Sequence, residues 1–273
     1  MSAKRTENGE RRTEGQRATF RSLRTGLIGA ISASSIAACG LSPIDHRIKL
    51  GEEAFVVFVG EGVDRNTDLF TTTTSGGPVF QLTFTKVIER APALSHGGTM
   101  VAFLRMRDSL PATHRDVVVM NLESGAERIV PLTDGAGIPR QLGWGSGDST
   151  LYIRSDQGLW QASMPPSGQN AVAVAAGDST AANRQFRDWL GQPAYARVIS
   201  CPASLCLIGP RLDTTALSDT GHDAMRWGKD SVAWFEGNDI VVRPLGPGRA
   251  RHAQLKSGPS NPREGSMGGV DSH

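Results

Sequence analysis

The feature that most constrains the fold of this chain is a recurring unit of two short apolar strands joined by a polar turn. Such units occur at residues 68–83, 91–104, 116–133, 143–162 and 226–243. The strands are four to eight residues long and bounded by Gly, Asp, Asn and Ser, and no stretch beyond the first forty residues has the apolar spacing of an amphipathic helix. The repeat therefore predicts an all-β chain built from similar sheets.

The spacing of the units predicts a β-propeller. The equivalent apolar strands along the chain centre near Val57, Ala102, Tyr152, Cys206 and Ala233. The first two intervals, 45 and 50 residues, approach the repeat length of a four-stranded propeller blade, whereas the later ones are irregular. We expect about five blades within residues 51–256, or six with one degenerate blade. Residues 257–273 are rich in Gly, Ser and Pro, which predicts a disordered tail.

One of the repeats resembles a known family. PALSHGGTMVAF, residues 92–103, is similar to the blade signature P-x-W-S-x-D-G-x-x-I-A-F of TolB-like, WD-repeat-like propellers. DVVVMNLESGAERIVPLT, residues 116–133, resembles the strand pair that follows it there, although Leu94 and Gly97 replace the Trp and Asp of the signature. The resemblance implies a propeller and an envelope complex as partner. It does not separate binding modules from enzymes, because propellers serve as both.

The first 38 residues have the pattern of a secretory signal peptide. Residues 26–38 are thirteen uncharged residues rich in Gly, Ser and Ala, and Arg21 and Arg24 stand just before them. The apolar segment is too short to span a membrane as a stable helix. We therefore expect residues 1–38 to direct export and to be removed.

Residues 36–39, Ile-Ala-Ala-Cys, resemble the lipobox of bacterial lipoproteins. The resemblance implies cleavage between Ala38 and Cys39 and attachment of lipid to Cys39, with residues 39–50 forming the lipidated cysteine and a tether. The membrane is then a partner of the protein through that lipid. Gly40, where inner-membrane lipoproteins carry Asp, implies the periplasmic face of the outer membrane.

The remaining cysteines, Cys201 and Cys206, stand in the sequence CPASLC. An oxidising compartment permits them to pair, and four intervening residues suit a hairpin whose flanking positions lie about 5.5 Å apart. Two free thiols remain the alternative, and they would favour a cytoplasmic propeller.

Charge excludes one large class of partner. The formal net charge is +2, but residues 1–38 hold seven basic and three acidic side chains, which leaves 22 basic against 24 acidic in the rest. A body this close to neutral has no reason to bind nucleic acid. The insertion at residues 106–116 instead provides a candidate partner loop with Arg107, His114 and Arg115, although a plain solvated loop is the simpler interpretation.

Several motifs resemble catalytic or metal sites but have simpler explanations. Gly147-Asp148-Ser149, Gly177-Asp178-Ser179 and Asp219-Thr220-Gly221-His222 resemble blocks of the GDS hydrolases, yet the first of them lies in a repeated β-turn. Residues 64–68 resemble a calcium loop but lack its Gly and distal Glu, so a turn is favoured. The histidines share no zinc-ligand spacing, and no cofactor fingerprint is present.

The sequence thus predicts a lipid-anchored envelope propeller that binds a protein, peptide or glycan and catalyses no reaction. Two alternatives stay open: a propeller enzyme such as an envelope hydrolase, lyase or glycosidase, and a cytoplasmic propeller that binds another protein.

Overall fold

The structure is a computed structural model that describes residues 44, 47–50, 52–62, 66–106, 114–192, 195–202 and 204–268. The strands of the first half are β1 (Phe55–Glu61), β2 (Thr67–Thr73), β3 (Gly77–Pro78), β4 (Phe80–Gln81), β5 (Ile88–Leu94), β6 (Met100–Met106), β7 (Arg115–Asn121), β8 (Glu127–Val130), β9 (Pro139–Trp144), β10 (Thr150–Ser155) and β11 (Gly158–Ser163). Those of the second half are β12 (Val172–Ala173), β13 (Trp189–Gln192), β14 (Tyr195–Cys201), β15 (Ser204–Ile208), β16 (Thr214–Ser218), β17 (His222–Trp227), β18 (Ser231–Glu236), β19 (Asp239–Pro244), β20 (Arg251–Lys256) and β21 (Ser260–Gly268). The helical segments are α1 (Ser179–Asn183) and the 3₁₀ turns Ser146–Asp148 and Ala176–Asp178.

The strands form five antiparallel sheets arranged as the blades of a propeller. From the inner strand outwards, blade 1 is β21-β1-β2-β4, blade 2 is β5-β6-β7-β8, blade 3 is β9-β10-β11-β12, blade 4 is β13-β14-β15-β16 and blade 5 is β17-β18-β19-β20. The short strand β3 pairs in parallel with β20 and so ties blade 1 to blade 5. The chain is therefore a five-bladed β-propeller, as the repeat predicts, and the described residues leave no sixth blade.

The core lies between neighbouring blades, which explains why the second strands are apolar at consecutive positions. In β1, Phe55, Val57 and Val59 pack into the core shared with blade 2, whereas Val56 and Phe58 pack into the core shared with blade 5. Both faces of this strand are covered, and all five side chains are fully buried. Further apolar clusters join blade 2 to blade 3 and blade 4 to blade 5.

Blades 3 and 4 are joined by polar contacts around the segment that precedes β13. The Arg154 guanidinium donates to Asn183 Oδ1 at 2.7 Å, lies 3.4 Å from Asp188 Oδ2 and stacks 4.1 Å above the buried ring of Phe186. A Cβ atom on Gly143 would come within 2.3 Å of Gln185 O, so only glycine lets this segment pass so close to β9.

The end of the chain corrects one prediction. Residues 260–268 are not a disordered tail but strand β21, which forms the inner strand of blade 1 and extends the propeller beyond residue 256. Its pairing with β1 runs from Phe55↔Gly268 to Glu61↔Ser260. The strand closes the ring, and pairing rather than apolar composition holds it in place.

Two further details differ from the sequence interpretation. Cys206 lies on β15, the third strand of blade 4, whereas the equivalent second strand is β14; this displacement accounts for part of the irregular spacing. The tether predicted over residues 39–50 is shorter, because Ile44 and Ile48 are buried in the core between blades 1 and 2.

No helix among the described residues is long and apolar enough to span a membrane.

A buried ion pair joins β5 and β6 within blade 2, and Thr83, in the connection from blade 1, donates a hydrogen bond to it. The fully buried carboxylate of Glu89 accepts hydrogen bonds from Arg105 Nε at 2.9 Å, Arg105 Nη2 at 2.7 Å and Thr83 Oγ1 at 2.5 Å. Arg105 also donates to Glu127 at 2.6 Å. Burial raises the pKa of Glu89 despite the hydrogen bonds from Thr83 and Arg105, which oppose it.

Replacing Arg105 by Met is expected to lower the free energy of unfolding by about 3 to 5 kcal/mol at neutral pH, because the Glu89 charge stays buried without its cation. The loss should shrink as the pH falls through the raised pKa of Glu89, where the carboxyl takes up a proton. Urea unfolding of Arg105→Met beside the double variant Arg105→Met/Glu89→Gln measures this. The double variant should lose less stability than Arg105→Met alone; an equal or larger loss would contradict the explanation.

A polar contact joins blades 2 and 3. The Asp148 carboxylate accepts from His96 N at 2.9 Å and Gly97 N at 2.7 Å, and lies 2.8 Å from His96 Nδ1. Burial alone would raise the pKa of Asp148, but the hydrogen bonds from His96 and Gly97 outweigh it, and the pKa is lowered. The contact stabilises the fold above the pKa that Asp148 has in the unfolded chain.

We therefore expect Asp148→Asn to lower the free energy of unfolding by about 1 to 2 kcal/mol at pH 7. Asn suits the positive φ of 56° at this position, so the loss reports the charge rather than the backbone. Thermal unfolding between pH 3 and pH 7 should show the two proteins converging as the pH falls through the lowered pKa of Asp148. A difference that is constant over this range would rule out the carboxylate as its source.

Candidate functional site

We call one side of the ring the upper face, and it contains the candidate binding residues. It is the side on which the inner strands begin, as the pairing Ile88↔Met106↔Arg115 shows for blade 2. The described ends of the predicted partner loop, Met106 and Arg115, and the pair Cys201↔Ser204 lie on this side. The opposite side, the lower face, carries the loop between β15 and β16.

Every inner strand is interrupted by an irregularity in its pairing. The register shifts beside Ala91 in β5, Arg140 in β9, Gly191 in β13, Asp223 in β17 and Glu264 in β21. The non-glycine residues Ala91, Asp223 and Glu264 have φ of 51°, 50° and 53°, a strained left-handed conformation. Bulges of this kind redirect side chains next to functional sites.

Arginine side chains converge where the bulged strands meet. Arg90 lies on β5, Arg140 on β9 and Arg115 at the start of β7, all at the upper face. The Glu264 carboxylate accepts from the backbone N–H of Ala91, and its Oε1 lies 3.8 Å from Arg90 Nη1. We call Arg90, Arg115 and Arg140 the arginine cluster.

The members of the arginine cluster are close enough to affect one another. Burial lowers the pKa of Arg115, the positive charges of Arg140 and Arg90 lower it further, and the charge of Glu264 opposes them. The buried Nε atoms of Arg90 and Arg115, and that of Arg263 beside Glu264, have no acceptor among the described residues. Buried donors without acceptors cost free energy in the folded protein.

A groove of about 200 Å³ adjoins the cluster on the upper face. One side of it is lined by residues 114–117, and the rest is formed by residues of β8, of the connection to β9 and of the start of β9: Ile129, Val130, Pro131, Leu132, Gly137 and Pro139. Arg115 Nη1 donates to Pro139 O at 3.3 Å across the groove. The groove can hold an aliphatic side chain but is smaller than a typical small-molecule pocket.

The central channel is narrow. A cavity with room for only about 80 Å³ is lined by residues of all five inner strands, among them Leu94, Trp144, Trp189, Met225 and Met267. Small-molecule sites usually offer several hundred Å³, so this cavity admits a few waters or the tip of a side chain. The channel itself is therefore a poor candidate for a substrate pocket.

The structure describes only some of the residues singled out from the sequence. Arg107, Ala38 and Cys39 lie outside the described residues. The role of Arg107 in the partner loop, the cleavage between Ala38 and Cys39 and the lipidation of Cys39 therefore stay predictions. His114 and Arg115 lie at the groove, where His114 Nε2 is 3.6 Å from Asp116 Oδ1. Arg115 therefore joins the predicted partner loop to the arginine cluster.

Cys201 and Cys206 face each other on the β14–β15 hairpin of blade 4. Their sulfur atoms are 2.11 Å apart and their Cα atoms 5.9 Å apart. The hairpin is tighter than the four-residue connection expected from the sequence, because Cys201 pairs with Ser204 and Cys206 pairs with Ile199. Formation of the disulfide in the mature protein stays a prediction.

The residues of the hydrolase-like motifs have structural contacts instead. Asp148 binds the His96-Gly97 turn at the lower face, and His222 lies at the start of β17 on the upper face, with Nδ1 3.1 Å from Asp223 Oδ2. Of the calcium-like segment, Asp64 lies outside the described residues, whereas Asp68 accepts from Gln81 Nε2 and from Thr85 N. The described residues contain no group of three potential metal ligands.

Four functional candidates escaped the sequence interpretation: Arg90, Arg140, Arg263 and Glu264. A signal was present in the repeat, because Arg90 and Arg140 each stand four residues before the equivalent positions Leu94 and Trp144. Glu264 could not be found this way, since it lies in the segment interpreted as a tail.

No family model and no curated protein sequence matches this chain. Among solved structures it is similar to TolB from Acinetobacter baumannii, with 8% identity over 81% of this chain and 68% of that one and a TM-score of 0.43. A protein assigned as TolB from Agrobacterium tumefaciens is 12% identical over 73% of this chain and 63% of that one, with a TM-score of 0.36. This chain therefore spans less than two thirds of the length of that protein. The tricorn protease is 14% identical over 78% of this chain and 23% of that one, with a TM-score of 0.38. The assignment of the fold rests on the five sheets described above.

Proposed function

We propose that this chain is a lipid-anchored protein of the bacterial cell envelope that binds another protein through the upper face of its propeller and catalyses no reaction. The lipobox-like Ile36–Cys39 supports the anchor and the location. The observation that carries the binding role is the arginine cluster, in which Arg90 and Arg140 are 42% and 49% exposed and lie 3.8 Å and 4.0 Å from the Glu264 and Asp156 carboxylates.

The composition of the upper face supports a protein as partner. Phe84, in the connection from β4 to β5, is 78% exposed, and arginine and aromatic side chains dominate the binding energy of protein interfaces. The channel cavity of about 80 Å³ is too small for most metabolites. A rigid ring with this face turned to its surroundings would present the cluster without reorganisation.

The test compares two exposed apolar side chains on opposite faces. Phe84 on the upper face and Leu212 on the lower face are 78% and 82% exposed, and each is replaced by the photo-crosslinker benzoylphenylalanine. Irradiation of living cells of the native host should give one discrete protein adduct at position 84 that disappears in the Arg115→Met background. Adducts of equal yield at position 212, or none at 84, would overturn the proposal.

A further inference from the structure

We infer that the upper face recognises an acidic, aliphatic peptide segment: the arginine cluster binds a carboxylate, and the adjoining groove takes a neighbouring aliphatic side chain. The inference rests on the proposed function, because it names the ligand chemistry at the same face. It follows from three observations: uncompensated charge, donors without acceptors, and an apolar wall beside them.

Positive charge at the cluster is only partly compensated. Arg90 Nη1 lies 3.8 Å from Glu264 Oε1, and Arg140 Nη2 lies 4.0 Å from Asp156 Oδ2, both longer than a charge-assisted hydrogen bond. Asp156 Oδ1 already accepts from Ile138 N at 2.7 Å. Arg115 donates only to the carbonyl of Pro139 among the bonds of the described residues. The three guanidinium groups, each with five N–H donors, therefore retain hydrogen-bonding capacity.

A carboxylate has the geometry that these donors require. A planar guanidinium binds both oxygens of a carboxylate through two parallel N–H bonds, and such pairs are stronger where water is partly excluded. The Nε atoms of Arg90 and Arg115 are buried, and the like charges around Arg115 disfavour its cation. The side chains of Arg90 and Arg140 are 42% and 49% exposed, so a bound anion would accept from guanidinium N–H groups that solvent reaches and would offset the repulsion at Arg115.

The groove favours a peptide over a free anion. Arg115 lines both the groove and the cluster, so a carboxylate held by Arg115 lies next to an apolar wall. That wall includes Leu132 and Ile129, which is half exposed in the free protein. Asp116 stands on the other side, within 3.6 Å of His114. A peptide that alternates acidic and aliphatic side chains would use both surfaces, whereas phosphate would use only the arginines.

The experiment uses three synthetic octapeptides and the chain from residue 39 onwards. The first alternates leucine and aspartate and is blocked at both ends, the second carries asparagine in place of aspartate, and the third is the asparagine peptide with a free carboxyl terminus. Isothermal titration calorimetry in low and high salt should show the aspartate peptide binding at least about tenfold more tightly than the blocked asparagine peptide, with weaker binding in high salt. Tight binding of the third peptide would identify a chain terminus as the carboxylate.

Two variants and one control locate the binding. Arg115→Met keeps the stem of the side chain, and Arg140→Met changes a side chain that is 49% exposed, so that urea unfolding of this variant should match wild type. Each variant should bind the aspartate peptide about tenfold more weakly. Arg211→Met, on the lower face, should leave the affinity unchanged. Equal affinity of wild type and both upper-face variants would overturn the inference, as would inorganic phosphate competing fully while the groove variant Ile129→Ser binds normally.

The outcome is separable from that of the proposed function. If position 84 crosslinks a partner but none of the three peptides binds, the upper face binds proteins and the acidic chemistry is wrong. If neither crosslink nor peptide binding is found, both proposals fail.

Discussion

A chain that ends at Ser257 is expected not to fold. The missing residues include β21, the inner strand of blade 1, which pairs with β1 and contacts β5 of blade 2. Its loss would expose β1, whose first five side chains are fully buried, and would open the ring between blades 1 and 2. The total stability of a domain, about 5 to 15 kcal/mol, cannot compensate for the loss of an inner strand.

Several contacts make this strand irreplaceable. Leu94 N donates to Ser266 Oγ at 2.9 Å, and Glu264 binds the strained Ala91 of β5. A Cβ on Gly265 would come within 2.2 Å of Met225 Cε, so the backbone of β21 lies directly against blade 5 as well. The strand therefore contacts both of its neighbouring blades.

The measurement is circular dichroism with urea unfolding of the chain from residue 39. The matched control ends at Gly268, which removes the last five residues but keeps β21, and it should unfold cooperatively like the untruncated chain. The chain that ends at Ser257 should lack a cooperative transition, and a synthetic peptide of residues 258–268 added in excess should restore part of it. Cooperative unfolding of the shorter chain without the peptide would show that the ring closes by another route.

The sequence did not predict strand β21, because this segment has no strand signal of its own. β21 contains Pro262, Gly265 and Gly268, and it has neither apolar alternation nor an apolar run. Only the closure of the ring, which joins residues more than 170 positions apart, makes it a strand. The blades themselves were predictable, since local apolar runs such as Phe55–Val59 and Met100–Leu104 are what a strand covered on both faces requires.

The candidate site likewise combines a residue with a local sequence signal and residues that only the fold brings together. Arg115 was predictable because a charged insertion in a hairpin is a local feature. Its convergence with Arg90 and Arg140 depends on the bulges and on the ring, which bring together three strands of two blades. Arg90 and Arg140 share a position in the repeat, but no spacing in the sequence relates Arg115 to them.

Replacing Cys39 by Ser is expected to release the protein completely from the membrane. Cleavage before Cys39 and acylation of its thiol and amino group would supply two or three acyl chains, and each buried methylene contributes about 0.8 kcal/mol. One chain holds a protein only marginally, whereas two hold it stably. Net charge does not replace that anchor, because residues 39–273 hold 22 basic and 24 acidic side chains and have no overall attraction to anionic lipid.

The anchor would also hold the ring close to the bilayer. Only four residues separate Cys39 from Ile44, which is buried in the core between blades 1 and 2, so the two positions are at most about 18 Å apart. Intact mass of the membrane fraction should give a wild-type species that begins at Cys39 with added acyl mass, and Cys39→Ser should be absent from that fraction. The Cys201→Ser/Cys206→Ser double variant serves as control and should remain anchored. An unprocessed wild-type chain in the soluble fraction would remove the anchor from the proposed function and leave the upper face to bind its partner in another compartment.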